Sequence, residues 1–218
     1  MGYLLLITPF LLLTACNTGA KIDSQKVAEE MRNRKIVHAN QAEITEGALA
    51  EGSRLAGWLD KRLIQTLEAA PDQKNIVAWA ARCNPRALSV DSLGRAHYTA
   101  IQRVALKADA KKAALTGKAL QVWEAYRYNA ENKLPMDPNI QRDGEAYLLY
   151  TSPILLSNAT CLKCHGEVGK DLSESNFRAL KNTYPAMDSL INYQVIQPIG
   201  TWNLRFDKNR LIQRIKTR

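Results

Sequence analysis

Residues 146–166 read AYLLYTSPILLSNATCLKCHG, an apolar stretch typical of a buried strand that leads into two cysteines and a histidine. Two thiols at CxxC spacing can each add to one vinyl group of a haem, and the histidine that follows then binds the iron. A structural zinc site needs a second pair of ligands, and a thioredoxin-type pair follows a strand in a βαβ setting. The sequence has neither feature. The motif therefore predicts one covalent haem c held by Cys161 and Cys164, with His165 as an axial ligand.

The N-terminus carries a short apolar run that ends in the residues LTAC at 13–16. With about a dozen apolar residues, the run is too short to cross a bilayer and is typical of the core of a signal peptide. Its last four residues are typical of a bacterial lipobox, which predicts a signal peptide over 1–15 and lipidation of Cys16. An ordinary cleaved signal, with Cys16 incidental, is the alternative. Because bacteria attach haem covalently on the exported side of the membrane, both motifs predict a lipid-anchored protein on the periplasmic side.

Composition sets further limits on the class of protein. The chain has 218 residues, of which 46% are hydrophobic and 23% charged, as in ordinary globular proteins. Its net charge of +9 suits anionic lipid headgroups, an acidic redox or signalling partner, or plain solubility; nucleic acid is not an expected partner outside the cytoplasm. We expect residues 16–40 to form a lipid-anchored tether, 41–206 a haem domain, and 207–218 a basic tail with a short amphipathic helix.

The spacing of apolar residues predicts helices in the first half of the domain. A long helix is expected over residues 40–69, with an apolar face formed by Leu55, Trp58, Leu59, Leu63 and Leu67. A short helix follows, on which one side is shared by Ile76, Trp79, Ala80 and Cys83. Pro85 ends this helix, because the residue before a proline avoids helical dihedral angles. A third helix is expected over residues 109–129.

Strands are expected between and after these helices. Extended segments are predicted at 86–91 and 97–106, with Gly94 between them as a turn. From Gly200 the residues alternate, which predicts a strand whose apolar face carries Trp202, Leu204 and Phe206. Helices followed by mixed strands predict one α+β domain with a mostly antiparallel sheet. The segments expected to be loops are 132–139 and 167–183.

The order of these motifs resembles the single-haem c-type haem family, a PAS-like domain that also occurs as the extracytoplasmic sensor of some membrane-bound signalling proteins. The resemblance extends from about residue 45 to 206. It includes Cys-Asn-x-x-Ala at 83–87, Arg-Val-Ala-Leu-Lys at 103–107, Trp-Glu at 123–124, the CLKCHG block, Tyr-Pro at 184–185 and the strand from 200. The resemblance implies a PAS-like α+β fold, one covalent haem c and a sensory role.

The second axial position of the haem iron decides what such a protein does. The candidate ligands are Cys83, His97, His38, Met136 and Met187. The resemblance implies Cys83, because a helix-terminal cysteine at this position is the distal ligand of the family. The helical spacing also puts Cys83 on an apolar face, where a buried free thiol is the alternative. A thiolate favours ferric iron and lowers the reduction potential, whereas the thioether of a methionine favours ferrous iron.

These observations predict an exported haem protein that responds to redox state or to a small ligand. A monohaem electron-transfer cytochrome is the alternative function. A haem peroxidase is the least favoured, because a distal pair of acid–base histidines is not evident in the sequence. Arg103, on the strand after the Cys83 segment, is a candidate partner for the haem propionates, and a solvated strand face is the alternative.

Overall fold

The computed structural model describes residues 23–34, 39–69, 74–85, 88–97, 99–105 and 118–216. Outside these residues lie the expected signal peptide 1–15, the candidate lipidation site Cys16 and the candidate ligand His38. The chain divides into two compact units, Met1–Ile36 and Val37–Arg218. Helix α1 (Ser24–Arg34) belongs to the first unit. Among the described helices, none combines the length and the apolar character that a membrane crossing requires.

Helix α2 (Gln41–Glu68) begins with a capping box. Asn40 Oδ1 accepts a hydrogen bond from the Glu43 N–H at 2.9 Å, and Glu43 Oε2 accepts one from the Asn40 N–H at 2.9 Å. The buried apolar face of α2 consists of Ile44, Ala48, Leu55, Ala56, Leu59 and Leu67. The prediction that Trp58 lies on this face is wrong, since its side chain is 42% exposed. Successive residues of a helix are about 100° apart around its axis. Because Leu59 lies on the buried face, its neighbour Trp58 lies off that face.

Helix α3 (Ile76–Ala80) is capped by Asn75, whose Oδ1 accepts a hydrogen bond from the Ala78 N–H at 3.1 Å. It continues directly as a 3₁₀ turn, Ala81–Cys83. The turn ends at Asn84, where ψ is 135° and therefore extended, as expected for the residue before a proline. The expected short helix is present, with Cys83 as the last residue of its 3₁₀ extension.

Helix α4 (Val90–Ala96) occupies a region where the sequence predicted extended structure. That prediction is wrong for the described residues 88–91, and so is the prediction of a turn at Gly94. Gly94 lies inside α4, where a Cβ atom would come within 2.7 Å of the Thr99 carbonyl oxygen. Glycine is therefore used here for the close approach of the helix to the next strand, and not for a turn.

The strands β1 (Thr99–Ala105), β2 (Asn139–Asp143), β3 (Tyr147–Leu155) and β4 (Pro198–Asp207) form a sheet in the order β1-β4-β3-β2. Each neighbouring pair is antiparallel. Strands β2 and β3 are joined by a turn in which Gly144 has a φ of 66°, a value that suits glycine. The predicted α+β fold with an antiparallel sheet is confirmed, although β2 was not expected.

One face of the sheet packs against α2 and against helix α8 (Lys208–Lys216). The large side chains of this sheet core are Leu55, Leu59, Leu148, Tyr150, Trp202, Leu204 and Phe206. The alternation expected after Gly200 is thus present in β4. Helix α8 is the amphipathic helix expected in the basic tail, and its Leu211 is buried in the sheet core.

Helix α5 (Lys118–Glu131) packs against β3 and β4. It corresponds to the helix expected over 109–129, of which residues 109–117 lie outside the described part of the chain. The Tyr126 hydroxyl lies within hydrogen-bond distance of two backbone carbonyl oxygens, those of Asp137 at 3.0 Å and Thr151 at 2.9 Å. These contacts tie α5 to the sheet.

A second cluster of buried residues is formed by α3, α6 (Ala159–His165), α7 (Glu174–Thr183) and a 3₁₀ turn, Pro185–Ser189. We call it the cavity cluster, and its buried members are Leu67, Ile76, Trp79, Cys164, Leu172, Leu180 and Met187. The prediction of a loop over 167–183 is wrong, because α7 lies within it. The segment is polar since α7 is a surface helix, of which Leu180 alone is fully buried.

Candidate functional site

A cavity of about 1310 Å³ is bounded by α2, α3, α6, α7 and one end of the sheet. Ligand pockets commonly measure about 300–1,000 Å³, so this cavity admits a large ligand. Much of its wall is apolar, including Leu63, Ile64, Leu67, Trp79, Ile154 and Leu156. The residues that the sequence singled out and that line the cavity are Cys83, Arg103, Met136, Cys161, Cys164, His165 and Met187. The fold thus brings into one wall residues that are far apart in the chain.

Helix α6 presents the cysteine–histidine motif to the cavity. Asn158 caps the helix, with its Oδ1 accepting a hydrogen bond from the Thr160 N–H at 2.8 Å. Cys161, Cys164 and His165 share one face, because residues three and four apart are neighbours on a helix. Burial raises the pKa of both thiols, that of Cys164 to about 12. Both sulfurs are therefore neutral thiols in a largely apolar wall, and not thiolates prepared for a metal ion.

His165 is oriented by the loop that follows the 3₁₀ turn. Its Nδ1 lies 2.8 Å from the carbonyl oxygen of Leu190, which requires that Nδ1 carry the proton and leaves Nε2 as the free ligand atom. Burial lowers the pKa of His165, although the Leu190 hydrogen bond raises it, so the neutral form is favoured. The Tyr193 N–H also donates to the His165 carbonyl oxygen at 2.9 Å. The loop therefore fixes both the tautomer and the position of this imidazole.

Cys83 and Arg103 meet beside the motif. The Arg103 guanidinium donates a hydrogen bond from Nη1 to the carbonyl oxygen of Cys83. Burial raises the pKa of the Cys83 thiol to about 11, while the charge of Arg103 acts in the opposite direction. Arg103 lies level with Trp202 in the β1–β4 register and is partly buried, so it does not lie on a solvated strand face. The sequence did not predict this contact between Arg103 and the Cys83 backbone.

The other candidate ligands occupy different surroundings. The Nδ1 atom of His97 lies 3.0 Å from Glu51 Oε1 and 3.2 Å from Arg54 Nη2, and His97 is not among the described residues of the cavity wall. Met136 and Met187 both line the cavity, and Met187 is buried. The geometry therefore keeps the two methionines as rivals of Cys83 and leaves His97 in a separate cluster of charges.

A polar part of the cavity wall was missed by sequence reasoning. Asp60 Oδ1 accepts a hydrogen bond from Trp202 Nε1 at 2.7 Å, and the Tyr150 hydroxyl lies 3.3 Å from Ser53 Oγ. Ser152 Oγ is buried with no hydrogen-bond partner among the described residues. The sequence feature that could have indicated this polar wall is Asp60 itself, an acidic residue directly after Leu59 of the apolar stripe.

Comparison with known proteins gives two matches and one negative result. The sequence model of the Tll0287-like family, described as Tll0287, matches residues 24–206. The fold is similar to the crystal structure of the cyanobacterial heme-protein Tll0287, with a TM-score of 0.53 and 20% sequence identity. That alignment covers 78% of this chain and 97% of the other. No match was found among curated proteins.

Proposed function

The chain belongs to the Tll0287-like family, and on that premise we propose that it is an exported c-type haem protein that responds to redox state or to a small ligand. One observation carries the proposal: the CxxCH motif and Cys83 line the same large, mainly apolar cavity. The structural relative Tll0287 is itself a heme-protein. Lipid attachment at Cys16, and a place on the periplasmic side of a membrane, rest on the sequence motif at 13–16.

The residues of the cavity fit a haem in size and in chemistry. The volume of about 1310 Å³ admits the macrocycle, and the apolar wall suits its faces. Cys161 and Cys164 offer two thiols from one helix, and His165 offers a neutral imidazole with Nε2 free. A bound haem would supply one-electron redox chemistry, and His165 would hold its iron. Arg103, with five N–H donors of which one is used by Cys83, is proposed to hold a propionate.

Cys83 is the proposed sixth ligand. Its thiol lines the cavity close enough to Cys161 and Cys164 to influence their electrostatics. Ligation requires the thiolate, and a ferric iron lowers the pKa of a coordinating thiol enough to supply it. A thiolate binds ferrous iron weakly, so Cys83 would hold the iron of a bound haem less firmly after reduction, which would favour the binding of a small ligand. This behaviour suits a sensor better than a carrier of electrons.

Electron transfer is the second candidate function. Met187 is buried and lines the cavity, and a methionine ligand would raise the reduction potential as in electron-carrying cytochromes. A peroxidase is less favoured, because the described part of the wall contains a single histidine, His165.

The spectra of two variants distinguish the sensory function from electron transfer. Cys83→Ala should convert the ferric haem from low spin toward high spin and raise its potential, while Met187→Ala should leave the spectrum unchanged. The reverse result would assign the ligand to Met187.

Covalent attachment is the direct test of haem binding. The protein is produced with an export signal and a cytochrome c maturation system, and haem is detected after denaturing electrophoresis. The wild type should retain haem, and the double variant Cys161→Ser/Cys164→Ser should lose it. Cys83→Ser is the matched control, because it makes the same change at another cysteine of the cavity and should keep the haem covalently bound. A wild-type protein without covalent haem would disprove the proposal.

The anchor has its own test. Cys16→Ser should move the protein from the membrane fraction to the soluble periplasmic fraction, because several acyl chains hold a protein on a membrane far more stably than one. An unmodified N-terminus that begins downstream of Cys16 would show simple secretion instead.

A further inference from the structure

Asp60 is a carboxylate in the cavity wall that has no role in the proposed haem binding. It lies on α2 next to the end of the sheet, and among the described residues it accepts a hydrogen bond from Trp202 Nε1 at 2.7 Å. Burial raises the pKa of Asp60 above its ordinary value, and the Trp202 hydrogen bond offsets only part of that rise. The charged form of Asp60 is thus already disfavoured by its surroundings.

Several polar residues that line the cavity together with Asp60 carry neutral hydroxyl groups. The charge of Asp60 contributes to the raised pKa of Tyr150, on β3, whose hydroxyl lies 3.3 Å from Ser53 Oγ. Ser152, two residues further along β3, has a buried Oγ with no hydrogen-bond partner among the described residues. Hydroxyl and indole groups solvate a carboxylate less well than water does, so a change of charge nearby acts strongly on Asp60.

The charged and titratable groups that other elements bring to this wall are already occupied. Arg103, from β1, donates to the Cys83 carbonyl oxygen and keeps its proton at every working pH. His165, from α6, is favoured in its neutral form by burial, which lowers its pKa more than the Leu190 hydrogen bond raises it. The two cysteines of α6 become thioethers when the haem is attached. Cys83, from the 3₁₀ turn, is assigned to the iron as its ligand. Asp60 is then a carboxylate of the described wall that is suited to gain a proton.

Asp188 lines the same cavity and provides a natural comparison. Its side chain is 58% exposed, and its carboxylate oxygens lie 2.9 Å from Lys181 Nζ. A neighbouring cation and solvent balance its charge. Two carboxylates thus face one cavity, and within the described part of the chain Asp188 has a cation beside it whereas Asp60 does not.

We propose that Asp60 is a proton-binding residue whose protonation is coupled to reduction of the haem iron in the same cavity. The inference rests on the haem binding proposed above. One electron from an external one-electron donor reduces ferric to ferrous iron, and one proton from solvent adds to a carboxylate oxygen of Asp60 to give the neutral acid. The electron adds negative charge to the cavity, and the proton removes the negative charge of Asp60, so each event favours the other.

The experiment measures the reduction potential of the haem-loaded protein by spectroelectrochemistry from about pH 5 to about pH 8. Three proteins are compared: wild type, Asp60→Asn and the matched control Asp188→Asn. Asparagine keeps an oxygen that can accept the Trp202 hydrogen bond. Full coupling changes the reduction equilibrium of the wild type tenfold per pH unit, about 59 mV for one electron. Asp188→Asn should follow the wild type.

The sign of the effect is specific. At low pH, Asp60 is protonated in both redox states, so Asp60→Asn and wild type should have the same potential. At higher pH, wild-type Asp60 is negative and opposes reduction, so the variant should have the higher potential. A difference that does not change with pH would overturn the inference. So would a wild-type infrared difference spectrum in which reduction produces no band of a protonated carboxylic acid. If the wild type carries no haem, the proposed function itself fails.

Discussion

The sheet core and the cavity cluster are built from similar apolar side chains but are completed in different ways. In the sheet core, residues such as Trp202, Leu204 and Phe206 pack directly against α2 and α8 and are at most 2% exposed. In the cavity cluster, Leu180 and Met187 are equally buried, yet they also line a cavity of about 1310 Å³. A side chain that faces a cavity has fewer partner atoms on one side. The packing of these three sheet-core residues, which do not line the cavity, is therefore intrinsic to the chain, while that of the cavity cluster depends on what the cavity holds.

The largest expected effect is a loss of local order in the cavity cluster when haem cannot be attached. In Cys161→Ser/Cys164→Ser, hydrogen exchange of amides in α6 and α7 should accelerate by about 100-fold, or roughly 3 kcal/mol of local stability. Amides of β4 from Trp202 to Phe206, which do not line the cavity, should change little. Cys83→Ser, which keeps the thioether bonds, is the control. Equal acceleration in both regions would show that they unfold as one unit.

A matched pair of leucine substitutions measures the same difference in packing. Leu204→Ala in the sheet core and Leu180→Ala in the cavity cluster remove the same atoms from sites that are 0% and 1% exposed. We expect a loss of about 4 kcal/mol for Leu204→Ala and about 2 kcal/mol for Leu180→Ala in haem-free protein, within the usual range for such changes. Denaturant unfolding provides the measurement. Equal losses would mean that the cavity leaves Leu180 as well packed as Leu204.

The two regions also differ in how far the sequence predicts them. The alternating apolar residues of β4 and the apolar stripe of α2 predict the sheet core, because the spacing of apolar residues along the sequence shows which face of each element is buried. The CxxCH spacing and the short helix that ends at Cys83 likewise point to the cavity. Two features of the site escape prediction. The contact of His165 is made by the backbone carbonyl of Leu190, and a backbone atom leaves no trace in composition. The sequence predicts a loop where α7 lies, because polar side chains predominate in ESNFRALKNT and its apolar face is short.

A third prediction concerns Glu51, a residue of α2 whose charge contacts make the stability of the protein sensitive to acid. Although burial alone would raise the pKa of Glu51, hydrogen bonds and charge contacts with Arg54, Arg214 and His97 lower it to about 2. The stabilisation is present above the ordinary pKa of 4.5 and is lost as the pH falls from there toward 2. Glu51→Gln should cost about 2 kcal/mol at neutral pH, after a discount for the exposure of Arg54.

The comparison of Glu51→Gln with wild type should be made as a function of pH by denaturant unfolding. The two proteins should converge as the pH approaches about 2, where wild-type Glu51 becomes protonated. Glu46→Gln, an exposed position on the same helix, is the control and should match wild type throughout. A difference in the free energy of unfolding that persists unchanged at low pH would mean that Glu51 stabilises the protein through its packing and not through its charge.

The smallest expected effect concerns the charges of α8. Lys216 Nζ lies 3.1 Å from Glu43 Oε1, and the two side chains are 37% and 42% exposed. Solvent screens such a pair, so Lys216→Ala should lower the stability only slightly at low salt, and less again at high salt. The helix is held instead by Leu211, which is buried in the sheet core. A loss of several kcal/mol for Lys216→Ala in denaturant unfolding would mean that charge, rather than apolar packing, attaches the basic tail. The sheet core would then depend on the ionic conditions outside it, and its contrast with the cavity cluster would no longer hold.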